Sequence, residues 1–145
     1  MVDLNALEAI VSELLSLYEI AAPPIPIESI LQSPKDDMWD EIDVTQISGS
    51  FFKVGAGYSA RMSMARVLAR HISSSEWGQM RGLGSIRSDE AMLQAFARMM
   101  VMPASMILEL KDNVRTPELL GAHFEVPPEE ARLRLDDLTR YAPLP

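Results

Sequence analysis

FFKVGAGYSARMSMARVLARHI, from Phe51 to Ile72, changes backbone pattern partway along. Its first part is aromatic, β-branched and broken by Gly55 and Gly57, which suits a short strand ending in a turn or bulge. Its second part predicts a helix from about Arg61 to Ile72, with Ser59 as cap and Arg66, Val67, Leu68, Ala69 and Arg70 at its centre. Upstream, Ile42 to Phe52 reads as one or two strands of a small antiparallel sheet, and Tyr58 as the start of another short strand. Gln46, Ile47, Ser48, Gly49, Ser50, Phe51 and Phe52 then form a candidate edge on which an extended peptide could add as a further strand.

The chain has 145 residues, 48% hydrophobic and 23% charged. This is enough apolar material for one domain over residues 1–145 and too little charge for a disordered chain. There is no cysteine, which excludes disulfides and thiolate metal sites and suits a reducing cytoplasm. No apolar run approaches the roughly 20 residues of a bilayer span, and the acidic N-terminus lacks the basic start of a secretory signal. The expected location is cytoplasmic, with no membrane partner.

The net charge of −8 is uneven. Residues 1–45 carry ten acids against one base, whereas residues 46–90 carry six bases against three acids. That overall balance opposes a general phosphate-backbone binder, so nucleic acid is a disfavoured partner. The middle third is locally basic and would suit an acidic partner segment.

Outside the opening stretch the pattern is helical. Leu4, Leu7, Val11, Leu14, Leu15 and Tyr18 fall at helical spacing behind Asp3 or Asn5 as cap. AAPPIP (21–26) breaks that helix, and Ile27 to Leu31 makes a turn or two. SSSEWGQMRGLGS (73–85) reads as a loop, because Gly82-x-Gly84 neither follows a strand nor precedes a Lys-Ser/Thr pair. Ser88 is expected to cap a helix to about Met102, with Asp89 and Glu90 in its first turn and Met92, Phe96, Met99 and Met100 facing the core. A short helix from Ala104 to Leu110 follows. Thr116-Pro117-Glu118 and Pro127-Pro128 then open a closing helical pair between 116 and 141.

Three segments resemble the ImmA/IrrE-type metallopeptidase family. They are the strand-then-helix carrying Arg66-Val-Leu-Ala-Arg70, the helix Glu90-x-x-Leu93-Gln94-x-Phe96-Ala97 followed by Met100-Val101-Met102-Pro103, and Leu119 to Leu138 with its FEVPPEEARLRLDDL stretch. The resemblance implies an α+β fold: a mostly helical zincin-like domain with a small antiparallel sheet and a C-terminal helical pair. It also implies zinc held by two histidines four apart, a glutamate base beside the first, and a third ligand on the next helix. Those positions correspond here to Arg66, Arg70, Val67 and Glu90. Arginine has no lone pair to donate and valine cannot take a proton. The expectation is therefore a domain without metal, cofactor or peptidase activity. His71 has no ligand partner four residues away, and His123 has no carboxylate at metal-ligand spacing.

The retained Glu90 suggests that Arg66 or Arg70 meets it directly in a buried ion pair that takes the metal's place. The other reading is a first-turn acid favouring its helix dipole while both arginines face water. The functional expectation is a catalytically inactive regulatory module that binds a protein or peptide. Because family members act on helix-turn-helix repressors, the resemblance points to such a repressor or another protein segment as partner. Two alternatives remain: DNA binding through the C-terminal pair, which Glu129, Glu130, Asp136 and Asp137 disfavour, and an enzyme with an unrecognised site.

Overall fold

The computed structural model describes residues 3–40 and 58–141. Helix α1 (Leu4–Leu17) starts where the sequence places a cap, with the Asp3 carboxylate accepting the Ala6 N–H at 2.8 Å. That satisfies one of the donors a helix start leaves open. Its apolar stripe buries Leu7, Ile10, Val11, Leu14 and Leu15. Tyr18 follows and donates its hydroxyl to the Ser33 carbonyl at 2.7 Å, joining α1 to the end of α2 (Ile27–Gln32).

Helix α3 (Tyr58–Ser74) is the longest described element and packs most extensively on α5 (Glu90–Val101). Small residues are buried on both, Ala65 and Ala69 on α3 and Ala95 and Ala97 on α5. Between them lie α4 (Glu76–Gln79) and a 3-10 turn at Leu83–Ile86. Ser75 caps α4 by accepting the Gly78 N–H at 3.0 Å. A β-carbon on Gly78 would fall 1.9 Å from the Ile72 carbonyl oxygen, so only glycine allows the chain to fold back here. Trp77 is buried beside it, with the Arg81 guanidinium 3.9 Å over its ring.

After α6 (Ala104–Leu108) and a 3-10 turn at Asp112–Val114, the chain closes with α7 (Pro117–Phe124) and α8 (Pro128–Tyr141). Thr116 caps α7 by accepting the Leu119 N–H at 3.3 Å, and proline occupies the first turn. Glu125 takes the left-handed conformation at φ 60° to end α7. A β-carbon on Gly121 would lie 2.8 Å from the Val126 carbonyl oxygen, which keeps the α7–α8 corner tight. One core gathers Leu14, Leu31, Leu68, Phe96, Phe124 and Leu138 from six of these helices.

The α+β expectation is overturned: the structure is helical, with no strand among the described residues. Tyr58, expected to begin a strand, is helical from the first described position of α3. Once a segment can bury Ala60, Met64, Leu68 and Ile72 at four-residue spacing, packing outweighs the weak strand preference of one aromatic. The expected strands in 42–52, including the candidate edge from Gln46 to Phe52, lie outside the described residues. The loop expected over 73–85 also contains α4 and the 3-10 turn, because Trp77, Leu83 and Ile86 are buried. Asp89, rather than Ser88, caps α5 by accepting the Met92 N–H at 3.2 Å.

Candidate functional site

Arg66, Val67, Arg70 and Glu90, the four positions that the resemblance sets against a zinc site, divide between two settings. Arg70, in the last turns of α3, donates to Glu90 at the start of α5 with Nη2 to Oε1 at 2.7 Å. The expected Arg–Glu contact therefore forms, but at the surface: the two side chains are 51% and 57% exposed. Water competes for both charges there, and such a pair adds at most about 1 kcal/mol. Arg66, one turn earlier, turns away from Glu90 and donates to Glu130 of α8 at 2.8 Å. Val67 is half-buried against the core.

Glu130 opens onto a charged layer beneath α8. Its Oε1 lies 3.9 Å from Arg98 Nη1, and Arg98 donates from Nη2 to Asp137 at 3.1 Å. Arg98 is buried, and its Nε and Glu130 Oε1 have no hydrogen-bond partner among the described residues. Next to them Arg134 is 1% exposed. It donates from Nη2 to Glu8 Oε1 of α1 at 2.8 Å and from Nε to the Met102 carbonyl at 2.9 Å. Burial pushes the Arg134 guanidinium below its usual basicity, and the Glu8 carboxylate opposes that shift. Three cations and three carboxylates thus join α1, α3, α5 and α8.

This layer was missed by sequence reasoning, which weighed the acids of α8 only against DNA binding. The signal was present in the spacing. Glu130, Arg134 and Asp137 lie on the same helical stripe as Ala131 and Leu138, at intervals of three and four residues, so the core-facing side itself carries charge. A charge on an apolar stripe needs a partner inside.

Zinc does not fit these residues. Arg66 and Arg70 offer no donor pair and are committed to glutamates on other helices. Among the described residues, no three His, Cys, Asp or Glu side chains stand close enough to hold a metal ion. His71 is half-buried near Trp39, with ring centroids 6.4 Å apart, while His123 is exposed and edge-on to Phe124.

Burial lowers the His71 pKa from its ordinary 6.5. The folded state therefore binds that proton less readily than the unfolded chain, and stability rises with pH across the range between the two values. The His71 contribution is full above 6.5 and is lost as pH falls through the folded value. Urea unfolding at pH 7.5 and pH 5 is expected to show a smaller acid-induced loss in His71→Gln than in the parent; equal losses would place this titration elsewhere.

The outer side of α8 holds Arg132 between Glu129 Oε2 at 3.1 Å and Asp136 Oδ2 at 3.0 Å. With Arg134 buried, no described arginine on this face is free for phosphate. No family model matches the chain, and neither does any curated protein or solved structure.

Proposed function

We propose that the chain is a non-catalytic regulatory module that binds a protein segment, with ion pairing where a related peptidase would hold its metal. The observation that carries this reading is the use made of Arg66 and Arg70. Each contacts a glutamate from another helix, and a guanidinium has no lone pair to offer a metal ion. The excess of basic residues over 46–90 favours an acidic stretch in the partner, such as one on a helix-turn-helix repressor. DNA is a poorer fit, because Glu129 and Asp136 already neutralise Arg132 on the exposed side of α8. No helix among the described residues is long and apolar enough to cross a membrane. With no cysteine to oxidise, the reading places the protein in the cytoplasm.

The test pairs metal analysis with partner mapping. After equilibration with zinc and desalting, the protein is expected to carry well under one equivalent, and EDTA is expected to leave its melting temperature unchanged. A two-hybrid screen against the products of neighbouring genes is expected to return a repressor-type protein that the purified chain binds without cleaving. Chelator-sensitive cleavage of any such protein overturns the reading.

A further inference from the structure

Outside the buried charges, the chemically most one-sided feature is a cleft between the end of α3 and the start of α5. It has a volume of 460 Å³ and is lined by Arg70, Ser73, Ser74, Gly84, Arg87 and Ser88. Two guanidiniums and three hydroxyls thus meet in a lining that contains no carboxylate, in a chain whose net charge is −8. Arg87 is the telling member. Arg61, Arg66, Arg70, Arg81, Arg98, Arg115, Arg132 and Arg134 each have a carboxylate within ion-pair distance. Arg87 makes neither an ion pair nor a side-chain hydrogen bond among the described residues, and it faces this cleft.

Arg70 is held, but loosely. Glu90 contacts it in an exposed pair that a doubly charged ligand inside the cleft can displace at small cost. The hydroxyls of Ser74 and Ser88 can each turn to donate, while that of Ser73 already donates to the Arg70 carbonyl at 3.1 Å and braces the α3 turn carrying that arginine. Planar guanidinium forks with neighbouring hydroxyl donors suit a tetrahedral group that accepts hydrogen bonds on several oxygens. A planar carboxylate would use fewer of them.

We propose that this cleft binds a phosphoryl group, carried either by a phosphorylated protein segment or by free phosphate. Arg87 is its primary contact, and Arg70 exchanges Glu90 for the ligand. The inference stands apart from the regulatory-module reading, since it needs only the cleft and its donors.

The test uses the ¹⁵N-labelled 145-residue chain titrated with sodium phosphate at fixed ionic strength, followed through the arginine Nε–H and serine amide signals. Saturable shifts centred on Arg70, Ser74, Arg87 and Ser88 are expected. Removing one guanidinium contact in Arg87→Gln is expected to weaken binding about tenfold. Because Arg87 is exposed and unbonded among the described residues, that variant should melt like the parent. Glu90→Gln is expected to tighten binding by releasing Arg70, an effect that a purely structural pair would not produce. Shifts that never saturate, or a titration unchanged by Arg87→Gln, overturn the proposal. A phosphoserine peptide compared with its unmodified form identifies the source. Much tighter binding than inorganic phosphate assigns the cleft to a modified protein segment, and equal binding assigns it to the free ion.

Discussion

Glu8→Ala is expected to destabilise the protein by about 3–5 kcal/mol, because it leaves the Arg134 guanidinium uncompensated inside the core. Arg134 is 1% exposed and has no carboxylate other than Glu8 within ion-pair distance among the described residues. For a domain of ordinary stability, about 5–15 kcal/mol, this is a large share of the whole. Urea unfolding monitored by circular dichroism measures it, and the melting temperature should fall by about 10 °C or more. The double variant Glu8→Leu with Arg134→Met is expected to lose less than Glu8→Ala. Apolar side chains of similar size replace a buried ion pair with little net cost, although the Met102 carbonyl then gives up its Arg134 donor. A Glu8→Ala protein with the parent's unfolding midpoint would show that the pair does not form in solution.

Glu130→Ala and Glu90→Ala make the second comparison. Both remove a glutamate from an arginine that stands where the resemblance places a zinc ligand, yet the expected outcomes differ several-fold. Loss of Glu130 strips Arg66 of its partner and leaves the buried Arg98 with Asp137 alone, so a cost of about 3 kcal/mol or more is expected. Loss of Glu90 breaks a pair in which both side chains are about half exposed, and its expected cost is below about 1 kcal/mol. Parallel urea titrations of the two variants decide the matter. Equal costs would mean that burial does not separate the two sites.

The starts of α1 and α7 were the most legible boundaries in the chain, because local chemistry sets them. Asp3 and Thr116-Pro117 announce their helices through side chains that reach only three residues. The apolar stripe of α1 was equally plain, as its period alone identifies the buried residues. Short elements in 73–85 escaped notice because their cause is distant. Gly78 is required by the approach of Ile72, and Trp77 packs into a core assembled from other helices.

The site was legible only in part. Arginine at 66 and 70 was enough to reject zinc on donor chemistry, but the direction each guanidinium takes depends on where α8 lies. The buried layer of Arg98, Glu130, Arg134 and Asp137 was missed because the acids of α8 were weighed only against DNA, when their place on an apolar stripe was the better guide. The sheet expected between α2 and α3 came from strand preferences that depend on context, and from a resemblance whose fold the helical structure does not follow.

One consequence of the Glu8–Arg134 pair concerns synthesis. Its members are 126 residues apart, so they cannot meet until α8 has left the ribosome. Until then α1 has an acidic group pointing at a surface not yet built. Closing so long a loop is entropically costly. A nascent chain that has not yet made α8 should therefore remain open to proteases and chaperones, and the emergence of α8, rather than any earlier milestone, should coincide with closure of this core.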